Sequence, residues 1–115
     1  MSELEAIRDE LRRFAADRDW DQFHSPKNLA SALAVEAAEL LEPFQWLTEE
    51  QSRNLTAEQM SAIKSEVADV FIYLVRLSDK LGLNLLEAAA EKIRVNAEKY
   101  SVEKSRGSSA KYTKL

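Results

Sequence analysis

The 115-residue chain has no cysteine, two glycines, two prolines and a single histidine. The missing cysteines remove disulfides, thiolate metal sites and thiol nucleophiles at one stroke. The scarcity of glycine and proline leaves few places for turns. Ala, Leu, Glu and Lys dominate instead, so long helices are expected. His24 stands in no Glu-x-x-His pair, which argues against a ferritin-like di-iron centre. Long apolar runs are also absent. The strongest, Val67 to Val75, carries Asp69 and is far shorter than the roughly 20 residues that cross a bilayer. The N-terminal stretch is charged and amphipathic, without the apolar heart of a secretory leader. A cytoplasmic location and no membrane partner are therefore expected. The net charge of −4 speaks against broad binding to nucleic-acid backbones. It leaves room for one nucleotide, whose phosphates metal ions and a few local cations can neutralise.

What the chain does have is carboxylates in unusual places. Glu36-Ala-Ala-Glu39 and Glu66-Val-Ala-Asp69 are two acidic pairs at three-residue spacing. A helix puts positions i and i+3 on one face, so each pair aims two carboxylates the same way. Leu29, Leu33, Leu40, Phe44 and Leu47 form a helical apolar stripe with Glu36 inside it and Glu39 on its edge. Met60, Ile63, Val67, Val70, Leu74, Leu77 and Leu81 form a second stripe, flanked by Glu66, Asp69 and Tyr73. Acids turned toward a core need positive charge. An all-oxygen donor set favours a hard cation, Mg²⁺ first, with Mn²⁺ as a substitute. Such ions beside a phosphate chain suggest phosphoanhydride hydrolysis, in which they polarise phosphoryl oxygens and activate water.

About four helices are expected. The first spans about Glu3 to Arg18 and the second starts on the Ser25 N-cap with Pro26 at its first position. The second runs to about Trp46, with Pro43 kinking it or ending it early. Thr48 to Leu55 is expected to be polar loop. Thr56 and Gln59 form a capping box for the third helix, which Gly82 terminates. Asn84 starts the fourth, which reaches about Tyr100. Residues 1–100 are thus expected to form one helical domain and residues 101–115 a flexible tail. Phe71, Ile72 and Val75 make the third helix apolar nearly all round, so it is expected to be buried between subunits.

Taken in order, the residues resemble the MazG-type all-α nucleoside triphosphate pyrophosphatases, most closely their dCTP pyrophosphatase branch. The resemblance rests on Phe14 to His24 (Phe-Ala-Ala-Asp-Arg-Asp-Trp-Asp-Gln-Phe-His), Pro26-Lys-Asn-Leu29, Glu36-Ala-Ala-Glu-Leu40 and Phe44-Gln-Trp46. It continues through Glu66-Val-Ala-Asp-Val70, Ile72-Tyr-Leu-Val75, Lys92 with Asn96 and Tyr100, and Ser109-Ala-Lys-Tyr-Thr113. It implies that Glu36, Glu39, Glu66 and Asp69 bind Mg²⁺. It places Trp20, His24, Trp46 and Tyr73 in a nucleotide pocket, with Lys92 and Asn96 reaching phosphate or metal. It further implies a homotetramer built as a dimer of dimers, and cleavage between the α and β phosphates to give a nucleoside monophosphate and pyrophosphate. A preference for deoxycytidine nucleotides follows from the branch.

Two rivals stand beside this reading. One is a non-enzymatic helical oligomerisation or nucleotide-sensing module, its acids held in ion pairs by Arg76 or Lys92. The other is the dUTPase chemistry of the same superfamily.

Overall fold

The computed structural model describes all residues, 1–115, and every regular element in it is helical. In order these are α1 (Glu3–Asp17), a 3₁₀ turn (Asp21–Phe23), α2 (Pro26–Leu41), α3 (Glu49–Arg53), α4 (Ala57–Lys80), α5 (Leu85–Lys99), α6 (Val102–Ser105) and a second 3₁₀ turn (Tyr112–Lys114). The all-α class expected from composition is thereby met, with four long helices and two short ones. No helix is long and apolar enough to cross a membrane.

The chain forms two compact units, Met1–Gly82 and Leu83–Leu115. In the first, α2 packs most extensively on α4, and α1 packs on α4 and on the 3₁₀ turn. Leu29 of α2, Ile63 and Val75 of α4 and Ala15 of α1 are its buried apolar residues. Leu29 is 1% exposed, and burial of a side chain that size is worth about 1.5–3 kcal/mol. On α4, Met60, Val67 and Phe71 share one side and are exposed, and Ile72, on another side, is exposed as well.

Side chains set the helix ends. Ser25 accepts a hydrogen bond from the Asn28 amide at the start of α2. Thr56 and Gln59 form a reciprocal capping box at the start of α4. Asn84 accepts from the Glu87 amide at the start of α5. Gly82 closes α4 in the left-handed region, φ 67°, where a Cβ is unfavourable.

Two expected boundaries are corrected. The second helix stops at Leu41 rather than near Trp46, with Glu42 as its C-cap. Pro43 has no amide hydrogen to continue the ladder. The chain instead turns through bonds from the Phe44 and Gln45 amides to the Leu41 carbonyl. Phe44 and Leu47 therefore leave the apolar stripe of α2. The stretch expected as polar loop contains α3, because Thr48 and Gln51 make the same capping box as Thr56 and Gln59. In the second unit, the Tyr112 ring meets Tyr100 edge-on at 5.9 Å and carries the Lys99 ammonium over its face.

Candidate active site

The two best-packed helices carry the acids. Glu36 and Glu39 lie one turn apart on α2, and Glu66 lies on α4. One carboxylate oxygen from each of these three falls within 4.8 Å of the others, a grouping that fits one small cation. Asp69, a turn along from Glu66, is outside that group but close enough to act on it electrostatically.

The fit to a cation is testable on the oxygens themselves. One carboxylate oxygen of Glu36 and one of Glu66 are buried without any hydrogen-bond partner. Orphaned buried polar atoms are costly and rare. None of the four acids forms an ion pair with a residue of Met1–Gly82. Burial pushes the Glu36 carboxyl up to about 7, with Glu39 adding to the shift and Asp69 and Glu66 contributing repulsion. The Glu66 carboxyl is also raised, by burial first and then by Glu39, Asp69 and Glu42. Such a cluster has room and charge for a hard, oxygen-loving cation.

Glu42 was not anticipated in this neighbourhood. It extends the Glu36–Glu39 ladder by three more residues, and that spacing was its available signal. Tyr73 sits one turn beyond Asp69 on α4 and is half-buried.

Trp20 is placed by the end of α1. The Trp20 amide donates to the Ala15 carbonyl and the Asp19 amide to the Ala16 carbonyl. This is the Schellman pattern, whose C′ residue takes a left-handed conformation. Asp19 fills that position at φ 54°. The accompanying apolar contact is also present: Trp20 packs edge-on against Phe14 at 5.7 Å. Arg18 caps the Phe14 ring, 3.6 Å from its centroid. Trp20 remains 46% exposed.

His24 closes the 3₁₀ turn and its Nδ1 accepts a hydrogen bond from Arg76 Nε at 3.1 Å. Trp46 lies in the turn after α2 and is 87% exposed. Lys92 and Asn96 belong to the other compact unit, on α5, one turn apart and both exposed. Within the first unit, then, the structure brings Glu36, Glu39 and Glu66 together, with Asp69 alongside.

Arg76, the cation proposed by one rival reading to hold the acids, is engaged elsewhere. It binds Asp21 at 2.6 Å and lies 3.5 Å from Asp79.

Two facing helices, a cluster of carboxylates between them with two orphaned oxygens, and no strand define an all-α acidic-site fold, and the chain belongs to the MazG-like family, whose pattern it matches over residues 32–115. It is similar to dCTP pyrophosphatase 1 of Mus musculus, 44% identical over 97% of this chain and 67% of that protein. Its identity to dCTP pyrophosphatase 1 of Homo sapiens is 41%, over 97% of this chain and 67% of the relative. A crystal structure of a pyrophosphatase from Archaeoglobus fulgidus superimposes with a TM-score of 0.83 at 37% identity, covering 88% of this chain and 94% of that one.

Proposed function

We propose that the protein is a Mg²⁺-dependent nucleoside triphosphate pyrophosphohydrolase that prefers dCTP or modified dCTP and clears unwanted nucleotides from the pool. The broader class stands on the relatives: their identity over nearly the whole chain makes this a hydrolase of the diphosphatase type. Pyrophosphatases of this family generally use divalent metals. The non-enzymatic rival loses ground on both counts. The observation that carries the proposal is the trio Glu36, Glu39 and Glu66 within 4.8 Å, two of them with orphaned buried oxygens.

In this reading Glu36, Glu39, Glu66 and Asp69 hold the cation. When bound, it supplies Lewis-acid polarisation of phosphoryl oxygens and neutralises charge on the leaving pyrophosphate. The residues do the rest. Glu36 or Glu39 takes the proton of a water that attacks the α-phosphorus in line. The bond from the α-phosphorus to the bridging oxygen breaks, and pyrophosphate leaves. Trp20 and Trp46 stack on the base, which supports nucleotide binding without choosing the base. His24 and the Tyr73 hydroxyl contribute polar contacts, and the resemblance alone assigns Lys92 and Asn96, which belong to the other compact unit, to the phosphates.

The exposed apolar residues of α4 (Met60, Val67 and Phe71 on one side, Ile72 on another) support assembly into a homotetramer, a dimer of dimers, since exposed apolar surface is a mark of an interface.

A panel of canonical and modified triphosphates, assayed with Mg²⁺ and scored for pyrophosphate, tests the reading. The expected result is pyrophosphate and monophosphate with dCTP or a modified dCTP leading. Release of orthophosphate instead, or no turnover of any triphosphate, would sink it. Competing dUTP against dCTP in one reaction separates the dUTPase rival.

A further inference from the structure

Arg76 is a charged side chain only 5% exposed, on the helix that carries Glu66, Asp69 and Tyr73. A buried guanidinium must be fully partnered. Its Nη2 donates to Asp21 Oδ1 at 2.6 Å and its Nε to His24 Nδ1 at 3.1 Å. Asp79, 3.5 Å from Nη1, is itself held by Arg12, whose Nε donates to it at 2.7 Å. Lys80 shares the Asp21 carboxylate. Asp21 opens the 3₁₀ turn and His24 closes it. One guanidinium thus grips both ends of the turn that follows Trp20.

The chemistry of the pair is one-sided. Arginine offers only donors and does not lose its proton. Nδ1 of His24 must therefore present a lone pair, and the ring proton of a neutral imidazole then sits on Nε2. That Nε2–H has no partner in the chain and is open to solvent.

We propose that Arg76 is a positioning residue that locks His24 in the Nε2–H tautomer, as a fixed donor to an acceptor oxygen of the bound nucleotide. The donor role rests on the assignment of His24 to the nucleotide pocket; the tautomer lock does not. With the tautomer fixed in advance, no binding energy goes into selecting it. Lysine at position 76 would keep the charge but lose the planar fork that reaches Asp21 and His24 together.

The chain has one histidine, so a ¹H–¹⁵N ring spectrum reads His24 without assignment work. The wild-type protein without ligand is expected to show the neutral Nε2–H pattern. Protonated Nδ1, or a tautomer mixture, would overturn the proposal without reference to activity. Arg76→Lys is expected to mix the tautomers and raise KM for dCTP about tenfold, the scale of one hydrogen bond, while kcat moves less. His24→Gln keeps an N–H donor near the Nε2 position, so Arg76→Lys added to it should raise KM less than about twofold further. An equal loss in both backgrounds would mean that Arg76 is merely structural. Should Arg76→Lys not fold, the wild-type spectrum and titrations still decide. Deoxycytidine or Mg²⁺-tripolyphosphate added to the wild type identifies whether base or phosphate supplies the acceptor, through movement of the Nε2–H resonance. No movement with dCTP in an enzyme that turns dCTP over would overturn the donor role, whereas absence of all turnover would fail the pyrophosphohydrolase reading and leave the tautomer result standing.

Discussion

Glu36 on α2 and Glu66 on α4 face the same small space, and each keeps one buried carboxylate oxygen with no hydrogen-bond partner. Two acids are held together with one oxygen of each shut off from water. The arrangement destabilises the bare protein and prepares it for a cation.

Glu66→Gln separates those two effects. It removes one negative charge and one oxygen ligand while nearly keeping the shape. Pyrophosphate release from dCTP is expected to fall by about a hundredfold or more, the scale of losing one transition-state charge stabiliser. The metal-free variant should melt no lower than the wild type, because burial and neighbouring acids already penalise the Glu66 charge. Melting curves and a pyrophosphate assay on one preparation check both. Retained turnover would refute the metal assignment.

The pH dependence of stability has an unusual sign. Glu36 titrates near 7 when folded and near its ordinary 4.5 when unfolded. The folded state holds a proton that the unfolded state releases, so this group's contribution declines as pH rises from 4.5 to about 7. Glu66 acts in the same direction. Asp21, lowered by bonds from Lys80 and Arg76, and Asp79, lowered by Arg12, have the opposite slope, but only below their ordinary 3.8. The Tm of the metal-free protein should therefore fall between about pH 4.5 and about pH 7, less steeply than the two carboxyls alone would give, because His24, lowered by burial and by Arg76, has the opposite slope below its ordinary 6.5. Excess Mg²⁺ should raise Tm and flatten the fall, since the cation replaces the proton. An unchanged slope with Mg²⁺ would count against a shared ion.

The two tryptophans should behave differently. Trp46 is 87% exposed, so Trp46→Ala should leave chemical stability within about 0.5 kcal/mol. Loss of a base stack worth about 1–3 kcal/mol should raise KM by roughly 5- to 150-fold. Trp20→Ala also loses the contact with Phe14 and should cost about 1 kcal/mol of stability. Denaturant melts alongside KM measurements distinguish them. A large stability loss for Trp46→Ala would place that ring in a subunit interface.

Asp19 holds a left-handed conformation at φ 54°. Asp19→Ala should destabilise by about 1 kcal/mol, because the short polar side chain that tolerates this region is gone. Asp19→Gly should be neutral or stabilising, despite losing the bond from Gln22. If Ala and Gly melted alike, the helix end would have relaxed into another turn.

Residues 101–115 are proposed to be a flexible tail when the chain is alone. Limited trypsin digestion should cut first after Arg106, beside Gly107 at φ 74°, before any site in α4 or α5. Mass spectrometry of early fragments reads the order.

Most of the helical layout was legible because its signals are local. Ser25-Pro26, Thr56 with Gln59, Gly82 and Asn84 mark ends through bonds spanning three or four residues. The same rule, applied to Thr48 and Gln51, would also have revealed α3. The overlong second helix came from following apolar spacing past Pro43, where the missing amide outweighs periodicity. Arg76 was legible only as an available cation. Its partners Asp21 and His24 lie 55 and 52 residues away in sequence, beyond the reach of any spacing argument.

The sequence by itself determined the helices, the family and the direction in which each acidic pair points, since i and i+3 share a face in any helix. Only the tertiary structure decided which acids meet and which cation stays away from them. Whether Glu66 closes on Glu36 or Arg76 does depends on how α2 and α4 are rotated against each other. That rotation is set by packing around Leu29, Ile63 and Val75, because nonlocal contacts, not local propensity, fix the register between two helices.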